Sequence, residues 1–326
     1  MNIIETQELR KVFQTRQGKG RKVQTVEAVK GINLQVREGE IFGFLGPNGA
    51  GKTTTLRMLS TLIPPTSGQA CIAGYDLRTE SAQVRKYIGY VSQAGGTDVT
   101  AKARENLMLQ ARLYGMSRRA AESRVKELVA ALELESFADR VARTYSGGQR
   151  RRLDLALGMV HHPKLLFLDE PTTGLDPQSR ARLWEEVRKL QKEGTTVFLT
   201  THYLEEADVL ADRLAIIDDG RIVVEGTSQS LKQQIAGDVV TLGLETRNGQ
   251  LQQAQTLLRS QPFVRELHPG DGQLQLYVER GEESLPAILH VLDEAGLGVR
   301  RVALARPTLD DVFLRQTGRS LREASS

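Results

Sequence analysis

The chain holds a single cysteine, Cys71, among 326 residues. That count excludes an internal disulfide framework and any cysteine-cluster metal site. The apolar stretch around Cys71 suits a buried thiol better than a nucleophile, and such cysteine usage fits a reducing compartment. Charge of one sign is also scarce. Lys and Arg number 44 against 40 Asp and Glu, a formal charge of +4. So balanced a surface argues poorly for a long phosphate-tracking groove, and no nucleic-acid partner is expected. The early bases Arg16, Lys19, Arg21 and Lys22 sit among Gly and Gln and read as a solvated loop. No apolar run approaches the roughly 20 residues that cross a bilayer. The opening residues lack the basic-then-apolar order of a secretory signal. Short-period repeats and extended heptads are missing as well. What remains is an ordinary globular composition, 40% hydrophobic and 26% charged, long enough for one large core and a smaller second one.

Residues 3–12 and 26–36 are apolar-rich segments that predict an opening antiparallel sheet, with an enlarged hairpin loop over 18–22. Ile41 to Leu45 reads as a compact strand entering a glycine-rich turn, and Thr53 to Leu62 has helical spacing. Residues 105–114 and 120–134 form amphipathic helices that predict an arm outside the sheet. From Gln149 to Ile217 helices alternate with apolar strands, which predicts a mostly parallel sheet covered on both faces. After a connector over 228–234, the order β-α-β-β-α-β restarts on a smaller scale, the ferredoxin-like pattern, with the turn Pro269-Gly270-Asp271-Gly272 between its middle strands. The boundary is set near Gly237, giving domains 1–236 and 237–326.

Gly46-Pro47-Asn48-Gly49-Ala50-Gly51-Lys52-Thr53-Thr54 matches the full phosphate-loop pattern between a strand and a helix. Absent side chains let backbone amides ring phosphate oxygens, and the helix start adds a positive end. Lys52 can reach the β- and γ-phosphates, Thr53 can ligate magnesium, and Thr54 can help hold the loop. A bland glycine turn would leave the Lys-Thr placement unexplained. A second apolar strand, Leu165 to Leu168, delivers Asp169 to orient magnesium and Glu170 to polarise an attacking water. Alone, that pair would read as two surface acids at a strand end. His202 and Gln93 also follow strands, where a ring nitrogen or an amide oxygen can order water, phosphate or metal.

Taken together, these residues resemble the ATP-binding cassette family. Tyr145-Ser146-Gly147-Gly148-Gln149 looks like its signature, and Asp169-Glu170-Pro171-Thr172-Thr173-Gly174-Leu175-Asp176 follows at a suitable distance. The resemblance covers roughly residues 3 to 230. It implies a P-loop NTPase fold of the cassette type, α/β with an antiparallel β subdomain and a helical subdomain. It also implies ATP and Mg2+ as ligands and a head-to-tail homodimer, in which Ser146, Gly147 and Gly148 of one copy face the γ-phosphate on Lys52 of the other. Gln93 falls in the family's glutamine loop, as catalytic and metal-contacting residue, His202 in its switch and Asp176 in its D-loop. Phe13 resembles the adenine-stacking aromatic, with packing in the opening sheet as the competing reading. Tyr145 departs from the usual leucine. Arg306-Pro307-Thr308-Leu309-Asp310-Asp311-Val312-Phe313-Leu314, with Thr317-Gly318-Arg319, resembles the tail of daunorubicin-resistance-type ATP-binding subunits.

That subfamily implies a magnesium-dependent ATPase energising export through a separate ABC-2-type permease, held at the cytoplasmic face of the membrane by that partner. The alternative is a non-transport cassette ATPase acting on nucleic acid or ribosomes. A single cassette and no long coiled coil weigh against it. A silent interaction protein would have little use for intact Lys52, Asp169, Glu170 and His202, and a small-molecule kinase would have none for the signature. The run Arg150-Arg151-Arg152 reads as support for the signature helix or as a site for acidic groups.

Overall fold

The computed structural model describes residues 1–17, 22–235, 237–244, 250–270 and 273–318. Lys19, Arg21, Asp271, Gly272 and Arg319, with the side chains of Arg16 and Lys22, lie outside the described residues. The chain divides into one compact unit over Met1–Ser228 and a second that begins at Gln229.

The first unit opens with β1 (Asn2–Gln17) and β2 (Lys22–Arg37), a long antiparallel ribbon. Both strands run further toward their turn than the apolar pattern indicates. Phe13 pairs with Val26 and Gln14 with Thr25, and ladder bonding needs no apolar face. β3 (Ile41–Leu45) leads into α1 (Lys52–Leu59). β4 (Ser67–Ile72) and β5 (Tyr75–Asp76) complete an antiparallel sheet in the order β2-β1-β4-β5. α2 (Ser81–Tyr87) precedes β6 (Ile88–Val91), and α3 (Ala103–Leu113) and α4 (Arg118–Ala131) form the helical arm. Then come α5 (Gly147–Met159), β7 (Leu165–Asp169), α6 (Pro177–Lys192), β8 (Thr196–Thr201), α7 (Leu204–Leu210), β9 (Arg213–Asp218) and β10 (Arg221–Gly226). The second sheet runs β10-β9-β3-β8-β7-β6, parallel except for β10.

Alternation along the central strands shows why both faces are covered. Leu165, Phe167 and Phe198 turn toward α1 and the antiparallel sheet, into one core with Phe42 and Phe44. Leu166, Leu168, Val197 and Leu199 turn the other way, against Leu153, Leu183 and Val187 of α5 and α6. All seven strand residues are buried. Each such side chain contributes about 1.5–3 kcal/mol, so the sheet anchors whatever its strand ends carry.

The second unit begins with α8 (Ser228–Gln234) and continues with β11 (Asp238–Leu244), α9 (Gln250–Arg259), β12 (Val264–Gly270), β13 (Gln273–Val278), α10 (Gly281–Glu294), β14 (Val299–Ala305) and α11 (Leu309–Thr317). Its antiparallel sheet has the order β12-β13-β11-β14, the ferredoxin-like arrangement. Val240, Leu242, Leu276 and Val278 pack with Leu258 of α9 and with Ile288 and Leu292 of α10. The tail motif has a structural use here. Asp311 accepts from the Thr308 amide at 2.7 Å, closing a capping box at the start of α11, and from the Tyr277 hydroxyl at 3.0 Å.

Candidate functional site

Strand register assembles the site. Leu45 pairs with Thr201, Asp169 with Thr200 and Val91 with Leu168. The segments that leave β3, β8, β7 and β6 therefore emerge at one carboxyl edge, where open parallel sheets bind ligands. The phosphate loop, His202, Glu170 and Gln93 come with them.

The loop can only be glycine-rich. A Cβ on Gly46 would stand 2.3 Å from the Ile217 carbonyl oxygen, and one on Gly51 would stand 2.6 Å from that of Ala28. Gly51 also has φ +104, which a side chain resists. Pro47 and Ala50 are buried while Asn48 and Gly49 face solvent. The amides of Gly51, Lys52, Thr53 and Thr54 open α1 with no carbonyl one turn back, a set of donors at a positive helix end. Lys52 folds over the loop, its ammonium donating to the carbonyls of Gly46 at 2.8 Å and Pro47 at 3.0 Å. It lies 3.4 Å from Glu170 Oε1 and is only 4% exposed. Burial pushes its pKa down, and Glu170 and Asp169 oppose the shift.

Asp169 is buried at the end of β7. Its Oδ1 accepts from Thr53 Oγ1 at 3.1 Å and from Thr200 Oγ1 at 2.7 Å. A hydroxyl and a carboxylate are thus held side by side below the loop. Among the described residues no trio of His, Cys, Asp and Glu forms a metal cage. Magnesium bound here would draw its remaining ligands from phosphate oxygens and water, which suits that ion and this donor set.

Glu170 is the hub of the second half. Its backbone sits at φ +44, an uncommon conformation for glutamate, and its amide is pinned by the Thr200 carbonyl and hydroxyl, both at 3.1 Å. Oε2 accepts from Gln93 Nε2 at 3.2 Å and from Thr173 Oγ1 at 3.3 Å. His202 Nδ1 also lies 3.1 Å from Oε2, but off hydrogen-bond alignment. The His202 ring first, and then Lys52, hold the Glu170 carboxyl below the usual carboxylate range against the effect of burial. Gln93 reaches this carboxylate with its amide nitrogen, and no hydrogen bond joins it to Thr53 or Asp169.

Other expected residues stand apart from this cluster. Ser146 caps α5, accepting from the Gln149 amide at 3.2 Å, and Ser146 and Gly147 are exposed. Gly148 abuts α6, where an added Cβ would stand 2.7 Å from Ser179 Oγ. No hydrogen bond or ion pair within the described chain ties these three residues to the phosphate loop. Phe13 is 40% exposed on β1, with the Lys11 ammonium 5.3 Å from its ring centre. It is an open aromatic face rather than a core residue. Tyr145 is buried edge-on to Phe137 and directs its hydroxyl to the carbonyls of Phe137 at 2.6 Å and Arg140 at 3.1 Å.

Arg151 exceeds what its basic run suggested. The guanidinium is buried and donates to four carbonyls: Pro171 and Ser92 at 2.7 Å, Asp169 at 3.1 Å and Glu170 at 3.3 Å. One turn on, Asp154 Oδ1 accepts from the amides of Gly96 and Thr97 and from the Thr97 hydroxyl at 2.7–3.1 Å. Helix α5 thereby holds both ends of the segment that contains Gln93. The sequence signal was only a helical i, i+3 spacing of opposite charges, which usually marks a solvated face.

Comparison with known proteins places these features. Residues 29–173 match the family described as ABC transporter, and residues 226–317 match the one described as ATP-binding protein DrrA1-3-like, C-terminal domain. The daunorubicin resistance ATP-binding protein DrrA3 of Streptomyces coeruleorubidus is 45% identical over 302 residues, 92% of this chain and 94% of the relative. The chain belongs to the ABC transporter family. It is an ATP-binding subunit of the daunorubicin-resistance type and an ATP-hydrolysing motor. The Nod factor export ATP-binding protein I of Rhizobium sp. (strain N33) is 39% identical over 90% of this chain and 93% of its own length. Among solved structures, a dimeric post-hydrolysis state of the cassette MJ0796, bound to ADP and Pi, superimposes with a TM-score of 0.61. It is 27% identical and covers 69% of this chain and 98% of that one. No helix among the described residues of this ABC subunit is long and apolar enough to cross a membrane.

Proposed function

We propose that this subunit hydrolyses magnesium-bound ATP between two head-to-tail copies and thereby drives export through a separate ABC-2-type permease. The observation that carries the reading is the convergence of Lys52, Thr53, Asp169, Glu170, Gln93 and His202 on one sheet edge. In this reading the loop amides and Lys52 bind the phosphates, while Phe13 offers its face to adenine. Thr53 and Asp169, with Gln93 joining through its amide oxygen, hold a magnesium ion, which would neutralise phosphate charge. Glu170, kept ionised, accepts the proton of an attacking water, and His202 steadies the carboxylate and the γ-phosphate. Ser146 and Gly147 are exposed at a helix start and Gly148 is half-buried beside them, an arrangement that suits a surface facing nucleotide on a second copy.

The export reading rests on the relatives, whose names speak of daunorubicin resistance and Nod factor export. Support for a permease partner lies in a groove of about 800 Å³ that runs from Ser92, beside Gln93, to Leu113 and Tyr114 at the end of the helical arm. Leu113 and Tyr114 are exposed there, and Leu109 is exposed one turn earlier on α3. We assign the arm over 101–134 as the transmission surface and the cytoplasmic face of the membrane as the site of action. Residues 1–236 form the cassette in this scheme, and residues 237–326 form an accessory domain. The test is co-purification with the permease, reconstitution into vesicles, and crosslinking from Leu113. Glu170→Gln should stop turnover while leaving ATP binding intact. Unchanged steady-state hydrolysis in that variant rejects Glu170 as the water-positioning group, and an active complex with no crosslink at the arm rejects the transmission surface.

A further inference from the structure

One fully buried carboxyl has no part in the mechanism above. Glu206, in the first turn of α7, has no exposed surface. Its Oε1 accepts the indole N–H of Trp184 at 3.1 Å, across from α6. The hydroxyls of Thr201 and Thr172 lie close enough to lower the pKa of this carboxyl, but neither completes a hydrogen bond to it. Glu206 Oε2 and Thr172 Oγ1 are left buried without a well-formed hydrogen bond. Such groups are costly to bury unless something fixes them in place.

The three neighbours belong to three different parts of the site. Thr201 ends β8 and directly precedes His202. Thr172 lies two residues after Glu170, in the turn that Arg151 grips through Pro171. Trp184 stands on α6, the helix that Asp176 caps through Ser179 and against which Gly148 is packed. The same interface carries the Arg180 guanidinium 4.8 Å over the Tyr203 ring, and that ring lies 4.1 Å from His202. A carboxyl at this junction bonds to α6 and keeps a second acceptor beside the hydroxyls of the other two segments, which no apolar side chain of its size can do.

We propose that Glu206 is a positioning residue for hydrolysis: bonded to Trp184 of α6, and fully buried at the start of the helix that follows His202, it holds His202 against Glu170 and links nucleotide occupancy to α6. The inference rests on the ATPase reading above and adds a residue and a path to it. Glu206 has no exposed surface to offer a ligand, so its effect belongs to turnover rather than to binding.

The experiment uses the full-length chain and the variants Glu206→Leu and Glu206→Gln. The leucine fills similar volume without polar atoms, while glutamine can accept from the indole and donate to a threonine hydroxyl. Glu206→Leu should lower kcat by about ten- to a hundred-fold, the scale of a misplacement of about 1 Å, with KM for ATP unchanged. Glu206→Gln should restore most of the loss. Trp184 is the only tryptophan in the chain, so its emission reports on this junction alone. Magnesium-ATP should shift that emission in the unaltered protein and in Glu206→Gln, but not in Glu206→Leu. Equal loss of kcat and ATP affinity, no rescue by glutamine, or an emission shift that survives in Glu206→Leu overturns the proposal. Absence of turnover in the unaltered protein would count against the ATPase reading, and the emission arm then decides the role of Glu206 by itself.

Discussion

Replacing Arg151 with methionine removes five donors from the buried centre of the cassette while keeping most of the side-chain volume. Of the four carbonyls it serves, two keep another partner: the Gly95 amide donates to Ser92 at 3.0 Å and the Thr173 amide to Glu170 at 3.3 Å. The carbonyls of Pro171 and Asp169 depend on the guanidinium, with Asp169 on the last residue of β7. Two newly unpaired buried acceptors cost about 1–3 kcal/mol each, hence about 2–6 kcal/mol in all. For a unit of this size, thermal unfolding shifts by roughly 2–4 °C per kcal/mol, so the midpoint should fall by at least roughly 4 °C. Arg151→Lys keeps the charge but only a point donor, and should fall in between. Because Ser92 precedes Gln93 and Asp169 precedes Glu170, kcat should drop in both variants by more than ATP affinity does. Scanning fluorimetry beside steady-state ATPase assays reads both quantities. A midpoint within about 1 °C of the unaltered protein in Arg151→Met would refute the reasoning, since four carbonyls cannot lose a cation without consequence.

Tyr145→Phe deletes one hydroxyl from between a buried carbonyl, that of Phe137, and the part-buried one of Arg140, and should cost about 1 kcal/mol in urea unfolding, with ATPase activity retained. An activity loss larger than the stability loss would mean that the hydroxyl serves the site. Gly148→Ala drives a Cβ toward Ser179 Oγ, which donates to Asp176 Oδ2 at 2.7 Å. It should spare ATP binding but depress hydrolysis, the step that the head-to-tail proposal assigns to two copies, and equal effects on both would argue against a shared site. Burial raises the Glu206 pKa above its ordinary value, so the folded chain binds a proton there that the unfolded chain has already released. Stability contributed at this position is therefore lost as pH rises from the usual carboxylate range through the raised folded value. Glu206→Gln lacks that loss, and its midpoint relative to the unaltered protein should climb with pH; a flat difference would place the ionised form in a better-solvated setting.

The chemistry was legible in sequence wherever a residue type is forced by close backbone approach. Gly46 and Gly51 admit no Cβ, Lys52 and Thr53 are fixed by the helix that starts on them, and Asp169-Glu170 rides on a strand whose apolar run admits no other register. Gln93 and His202 were singled out by their joint placement at strand ends, and the family resemblance supplied the loop and switch they fall in. Legibility failed where a residue acts through carbonyls contributed by distant segments. Arg151 reads as one of three arginines because the carbonyls it serves lie beside residues 92 and 169–171, which only the fold brings to α5. The short strands β4 and β5 and the helix α2 also gave little periodic signal. β5 spans only two residues, and α2 buries Val84 alone, too little for a pattern to emerge.

The same distinction separates what hydrolyses from what transmits. The groups proposed to meet phosphate are carried on four neighbouring strands, and their spacing is set by hydrogen-bond ladders that cannot stretch. The groups that join the segments leaving those strands to α5 and α6 are side chains: Arg151, Asp154 and Glu206. Hydrogen bonds of side chains to carbonyls and hydroxyls can be exchanged at modest net cost, whereas a parallel ladder must break as a unit. A motor needs both properties, a fixed site and movable connections to it. Substitutions at the strand ends should therefore remove activity outright, and substitutions at the three connecting residues should leave nucleotide binding while weakening the response of the helices to it. A double variant of Asp154→Asn with Glu206→Leu whose effects on kcat multiply independently would show two separate connections, each running from the site to its own helix.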